Sequence, residues 1–264
     1  MKLSTRIVLP AALCALAAFA PAHSTRAQDA ERPQETERPQ GAERQRVAIG
    51  PQPSASAKQI KDASKKADSA ARAFEKIMGA PDRSIPRDLL DRAEAVAVFP
   101  GMLKAGLLVG GRGGGGIISR RVTGGWSAPA FFKMGGLSVG PQIGASKTDL
   151  VLLFMNEDAL RGLLEDKLEL GGEASAAAGP VGRTAAASTN LTLDAGILSY
   201  SRGKGAFVGL ELKGVVINPD NNLNEALYGF KARDVLTGAN KVKMADVPQG
   251  IIIFPNTLAR YSIK

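Results

Sequence analysis

Between Ala95 and Phe154 short apolar runs alternate with Gly-Gly pairs or charged turns, and this pattern confines the chain to a β-rich core. Ala95 to Phe99 predicts a strand closed by Pro100-Gly101, with further strands near 105–111, 115–123, 127–134, 136–144 and 148–154. The alanines at 174–178 and 185–187 score as helix by propensity. Gly171, Gly172, Gly179, Pro180 and Gly182 interrupt them, however, so the spacing predicts strands with small side chains. Strands at about 191–201 and 205–217 are expected to form a hairpin across Arg202-Gly203-Lys204.

Helical spacing flanks this core. Ile60, Ala63, Ala67, Ala70, Phe74 and Ile77 fall on one face of a helix over 56–78, with Ser56 and Gln59 suited to a capping box and Gly79 and Pro81 as its stop. Its lysines allow a helix lying on a membrane, but an apolar stripe made mostly of alanine anchors poorly in lipid, which favours packing on the domain. Short helices are expected from Ile85-Pro86 through Ala93, from Asn156 to Asp166, and near 222–228 and 231–236. A last segment carries Ile251-Ile252-Ile253 and Leu258. The fold class predicted is α+β: a curved, mostly antiparallel β-sheet or barrel-like core with an N-terminal amphipathic helix and several short helices.

The chain opens with Lys2 and Arg6, an apolar run from Ile7 to Phe19, and small residues up to Ala27. This order predicts a signal peptide over 1–27, cut after Ala27 or alternatively after Ala22. The apolar run is shorter than the roughly 20 residues that span a bilayer. Residues 28–55 read as a disordered linker rich in Pro, Gln and mixed charge, and 56–264 as the folded domain. The expected location is exported, periplasmic or extracellular, with no transmembrane span in the mature chain and membrane association open. Cys14 and His23 are the one cysteine and one histidine. Both belong to the export region, which removes disulfides, Ser-His-Asp and Cys-His nucleophiles and Cys/His metal sites from the domain. No cofactor, metal or catalytic residue is expected.

The formal net charge is +9, and loss of Lys2, Arg6 and Arg26 with the leader leaves +6. A basic exported chain favours anionic partners. Arg112, Arg120, Arg121, Lys133, Lys147, Arg202 and Lys204 fall in or beside predicted turns and are the candidate lipid-binding residues. Aromatic content of 5% argues against nucleic acid, whose bases need stacking partners. Gly111 to Gly116 satisfies G-x-G-x-x-G, but a strand pattern follows where a dinucleotide site needs a helix, so the run reads as a flexible hairpin turn. The acids Asp149, Glu157, Asp158, Glu165, Asp166 and Glu211 suit capping and solubility, and no pair of them stands out as acid and base. The rival readings are an envelope structural protein with a protein or polysaccharide ligand, and an enzyme working through carboxylates.

Several separated motifs resemble the SYLF domain, also called the Ysc84 actin-binding domain. They are Ile85-Pro86 through Ala95-Val96-Ala97-Val98-Phe99-Pro100-Gly101, Gly106 to Gly111, Gly124-Gly125-Trp126-Ser127-Ala128-Pro129-Ala130-Phe131-Phe132, and most densely Gly135 to Gly144. Asp149 to Asn156, Gly205 to Gly209 and Asn224-Glu225-Ala226-Leu227-Tyr228-Gly229 follow in order, so the resemblance covers about 57–264. It implies non-enzymatic binding of anionic phospholipid, here in a standalone, exported, bacterial-type member; actin binding comes with the family name as a label. Lys213 stands where many members carry an acid before Gly214, so no electrostatic role is carried over to that position.

Overall fold

The computed structural model describes residues 53–81, 83–107, 109–139, 144–165, 167–171, 175–181, 195–203, 206–207, 212–238 and 241–262. The chain divides into Met1–Arg46 and Val47–Lys264. The expected signal peptide, and the linker up to residue 52, lie outside the described residues.

Helix α1 (Ala57–Met78) starts on the expected capping box: Ser56 Oγ accepts from the Gln59 amide at 3.2 Å, and the Ser56 amide donates to Gln59 Oε1 at 2.9 Å. Its alanine stripe is buried rather than offered to a membrane. Ala63, Ala67, Ala70, Phe74 and Ile77 pack inward, and the C-terminal helix α6 (Gln249–Tyr261) lies alongside. Small residues let the two backbones approach: a Cβ on Gly250 would lie 2.5 Å from Ser64 Oγ. Farther along, Phe74 meets Tyr261 edge-on at 5.7 Å, and Arg260 pairs with Glu75 at 2.5 Å. The Ile251 to Ile253 segment is therefore helical.

The sheet contains β1 (Ala95–Leu107), β2 (Val109–Val122), β3 (Gly125–Trp126), β4 (Ala130–Val139), β5 (Gly144–Phe154), β6 (Leu168–Leu170), β7 (Ala176–Ala178), β8 (Ile197–Gly203), β9 (Ala206–Phe207) and β10 (Val215–Pro219). Its order is β6-β10-β4-β2-β1-β5-β8-β7, antiparallel throughout except β7 with β8. The edge strands β6 and β7 come together around a cavity of about 410 Å³ touched by Gly171, Ala176, Ala178, Leu212 and Lys213, so the sheet is a nearly closed barrel. Helices α2 (Arg87–Arg92), α3 (Glu157–Leu164), α4 (Asn221–Tyr228) and α5 (Ala232–Thr237) complete the α+β fold. Asn156 caps α3 by accepting from the Ala159 amide at 2.8 Å, as its position predicts.

Three strand expectations are corrected. Pro100-Gly101 does not close β1, which runs on to Leu107; Gly101 takes the left-handed region at φ 57, and the chain continues through a bulge. The Gly111 to Gly116 run is not a turn but the middle of β2, paired on both sides. Its glycines serve close packing: a Cβ on Gly116 would lie 2.2 Å from the Phe99 ring, and one on Gly114 would lie 3.3 Å from Met102 Cγ. β8 pairs antiparallel with the short β9, as the expected hairpin requires, with 204–205 outside the described residues, but β10 pairs instead with β4 and β6. Of the small-residue strands expected over 168–190, β6 and β7 are present, and 172–174 and 182–190 lie outside the described residues.

Two of the distant motifs meet in the core. Buried Asn224 on α4 accepts from the Phe131 amide at 2.8 Å and donates to the Phe131 carbonyl at 2.9 Å, standing in for a strand neighbour. Tyr228, one turn on, donates its buried hydroxyl to the Pro129 carbonyl at 2.8 Å. Burial pushes the phenols of Tyr228 and Tyr200 well above the usual tyrosine range, with Asp88 adding to the shift at Tyr200.

The Phe99–Gly116 contact predicts that Gly116→Ala lowers unfolding free energy by about 1–3 kcal/mol, since an aromatic ring in a packed core has no free direction to move. Pairing it with Phe99→Leu should recover part of that loss in urea denaturation. The two buried phenols stay neutral in the folded chain while unfolded tyrosine ionises near about pH 10. Their contribution is therefore complete below that pH and is lost progressively above it. Tyr228→Phe should be less stable at neutral pH and show a shallower fall in melting temperature across the alkaline range.

Candidate functional site

The sheet has a covered end and an open end. At the covered end, where Ala95 pairs with Arg120 and Phe154, both faces are buried from Val96 to Phe99 and from Ile117 to Ser119. At the open end, toward Leu107, Val109, Val139 and Gly144, one face lies beyond the cover of α1. Alternation assigns the faces. Gly111, Gly113 and Gly115 share the convex face with Lys66 of α1, whose Cε would lie 3.7 Å from a Cβ on Gly115. In register on that face are Leu137 beside Gly111, Gly135 and Leu103 beside Gly113, Lys147 beside Leu103, and Lys133 beside Gly115.

Leu137 is 75% exposed and Leu103 46%. A Cβ on Gly111 or Gly135 would meet nothing within 4 Å, so the surface between the leucines is bare backbone. Exposed Lys147 and the ammonium of Lys133 border it, with Lys66 at the edge of α1. The convex open end thus combines an apolar strip with a cationic margin, a composition suited to an amphiphilic, negatively charged partner.

A bulge in β1 decides which residues reach this face. Val98 pairs with Ile117 but Leu103 pairs with Gly113, a slip of one residue, and the same slip occurs against β5. The Asp149 carboxylate holds it by accepting from the Gly101 amide at 2.7 Å. One residue of slip turns every later side chain over. Leu103 and Ala105 consequently face out while Met102 and Lys104 face the concave side.

The structure separates the seven sequence-predicted residues. Arg121 faces α2: it donates to the Leu90 carbonyl at 2.7 Å and the Ala93 carbonyl at 3.1 Å, and its guanidinium lies 4.3 Å from the Trp126 ring centroid. Burial lowers its pKa, while Asp91 and Glu94 favour its charge. Arg120 pairs with Glu157 at the start of α3. Arg202 donates to the Lys76 carbonyl at the end of α1. Lys133 pairs with Asp220 at 3.0 Å, yet its own side chain is 64% exposed. Lys133 and Lys147 are brought to one face; Arg112 lies within β2 on the concave face of the open end, and Lys204 lies outside the described residues. Leu103, Leu137, Lys66 and Lys104 are not among the seven binding residues expected from the sequence, although Lys66 belongs to the lysines of the 56–78 helix and Leu137 to the densest family motif. The available signal was symmetry: residues 104 and 112 are equally distant from position 108, as partners across a hairpin must be.

A family model described as Ysc84, Las17-binding protein actin regulator, matches residues 135–258, from the bare strip on β4 through most of α6. Protein YSC84 of Saccharomyces cerevisiae is 36% identical over 200 residues, 72% of this chain and 42% of that protein. LAS seventeen-binding protein 3 of the same species is 36% identical over 190 residues, 69% and 41% of the two chains. The human SH3 domain-containing YSC84-like protein 1 is 33% identical over 185 residues, 68% and 54%. The chain belongs to the Ysc84, or SYLF-domain, family. It spans about two fifths of the yeast relatives and just over half of the human one. The Asn224 and Tyr228 clamps lie inside the matched Ysc84 segment and hydrogen-bond to Phe131 and Pro129 just before it. Among the described residues no helix is long and apolar enough to cross a membrane, and no group of three or more His, Cys, Asp or Glu is placed to hold a metal ion.

Because Gly101 sits at φ 57, Gly101→Ala carries an unfavourable left-handed backbone worth about 1–2 kcal/mol. Asp149→Ala removes the acceptor of its amide and should cost about 1–3 kcal/mol by leaving a charge-assisted bond unmade. Both losses are read by chemical denaturation. In the double variant the sum of the two should exceed the measured loss, because both act on one bulge.

Proposed function

We propose that this Ysc84 domain is a non-enzymatic module that binds anionic phospholipid at the cell envelope through the convex open end. The observation that carries the reading is the exposure of Leu103 and Leu137 on the same face as Lys147, Lys133 and Lys66. The leucines supply area to bury among acyl chains, and each lysine near an anionic surface contributes about 1 kcal/mol. The net charge of +6 left after loss of the leader's Lys2, Arg6 and Arg26 acts in the same direction at longer range. The charged start, short apolar run and small residues at the N-terminus support action outside the cytoplasm.

The description of the family model and the name of one yeast relative, LAS seventeen-binding protein 3, refer to Las17 binding, a protein partner and a different use of an exposed apolar strip. Charge separates the readings. A lipid surface requires the lysine margin, whereas a protein groove for two leucines does not.

Co-sedimentation with phosphatidylglycerol–phosphatidylcholine vesicles tests the proposal. Binding should fall as salt rises and be near absent on pure phosphatidylcholine. Lys147→Glu changes the local charge by two and should weaken binding by about thirtyfold. Leu103→Ser with Leu137→Ser should weaken it at least tenfold, at unchanged or slightly raised stability. Equal binding to neutral and anionic vesicles, or indifference to both sets of substitutions, would sink the reading.

A further inference from the structure

The convex open end has a shape as well as a composition. Alternation along β2 puts Gly111, Gly113 and Gly115 in one column, so the middle strand of this face presents no side chain from one end of that column to the other. Leu103 on β1 stands on one side of the column and Leu137 on β4 on the other. Gly135 is the β4 partner of Gly113, and a Cβ on Gly135 or on Gly111 would meet nothing within 4 Å, so the space above the column is open. The strands flanking β2 are two ladder spacings apart, about 9.5 Å, and the column is about 13 Å long. Together these make a shallow trough, wide enough for one hydrocarbon chain, with backbone as its floor and leucine as its walls.

The two ends of the trough differ. Toward Val109 and Val139 it runs out to the rim of the sheet. Toward the covered end it stops at α1, where the Lys66 ammonium lies 3.9 Å from the position of a Cβ on Gly115, and Lys133 is the β4 partner of Gly115. Lys133 keeps Asp220 at 3.0 Å and is still 64% exposed, and an ammonium has three donors to share. The trough therefore has an apolar length and a cationic inner end. A bilayer does not match that polarity. Helix α1, about 10 Å across, stands beside the cationic end and holds a flat surface away from it. A lipid still in its leaflet also arrives head first, at the rim, where the trough is apolar. A single molecule with one tail and an acidic head fits both the width and the charge.

We propose that the glycine column of β2 is a binding trough for a free long-chain fatty acid, with the carboxylate held by Lys66 and Lys133 and the tail lying over Gly113 and Gly111 between Leu103 and Leu137. This rests on the reading of the convex face as a lipid site and adds that the face takes up one lipid molecule.

Isothermal titration of the full chain with laurate, kept below its micellar concentration, tests the trough. Saturable binding at one laurate per chain is expected, and butyrate, which has the head without the tail, should bind about a hundredfold more weakly. Gly111→Val and Gly135→Val each raise a branched side chain into open space above the floor. Each should weaken laurate binding by about tenfold or more, while the melting temperature of the free protein holds or rises, because valine suits a strand better than glycine. Both variants leave the leucines and lysines in place, so their co-sedimentation with anionic vesicles should be kept. Lys66→Gln should weaken laurate by about tenfold through loss of the charged contact. No laurate binding by the parent, or laurate binding that both valine variants keep, overturns the trough; vesicle binding by the same parent protein then leaves the membrane reading standing. Laurate binding that is lost in the valine variants of a protein indifferent to anionic vesicles upholds the trough and removes the membrane reading.

Discussion

A single extra residue in β1, seated by the left-handed Gly101 and the Asp149 carboxylate, controls what the sheet presents to its surroundings. Before the bulge, alternate residues of β1 face the helices or the barrel interior, and both sets are buried. After it the parity is reversed. Leu103 emerges on the convex face, and Lys104 turns inward to face Arg112. Extra residues in strands bend and twist them as well. The bend fits the tight seat of the Phe99 ring over Gly116 immediately beside the bulge, where only a hydrogen leaves room. Curvature and surface chemistry thus share one local cause.

The two ends of the barrel divide the labour. At the covered end α1, α6 and α3 bury the strands, and the cations there are committed to neighbours: Arg121 to the end of α2 and to Trp126, Arg120 to Glu157, Arg202 to the end of α1. These charges stabilise the assembly of helices on sheet. At the open end exposed Lys147, and Lys133 beside its partner Asp220, border bare backbone, and two large leucines face solvent. Two leucines left in water contribute no burial to the fold, which makes that face suited to a partner. Membership in the Ysc84 family agrees with a binding role, and the matched segment begins on that face.

Much of the fold was legible in local signals. The capping box at Ser56, the stop at Gly79, the Asn156 cap and the alanine stripe each act within a few residues, so spacing alone places them. The motif around Asn224 to Gly229 was visible, but its purpose was not, because its hydrogen-bond partner Phe131 lies 93 positions away. The glycine run in β2 misled for a related reason: its residues are permissive of turns, and only the ring of Phe99 above it shows that close approach was the need.

The sequence by itself determined that the domain is a glycine-rich, mostly antiparallel α+β fold, basic and without thiol or imidazole chemistry within residues 28–264, since composition and periodicity carry those properties wherever the chain goes. It also named basic residues as a group. Which of them are structural, which share a face, and that Lys104 and two leucines belong beside them were decided by the tertiary structure. Side-chain direction in a strand depends on register, register depends on one bulge, and the bulge is held by a carboxylate 48 residues away along the chain.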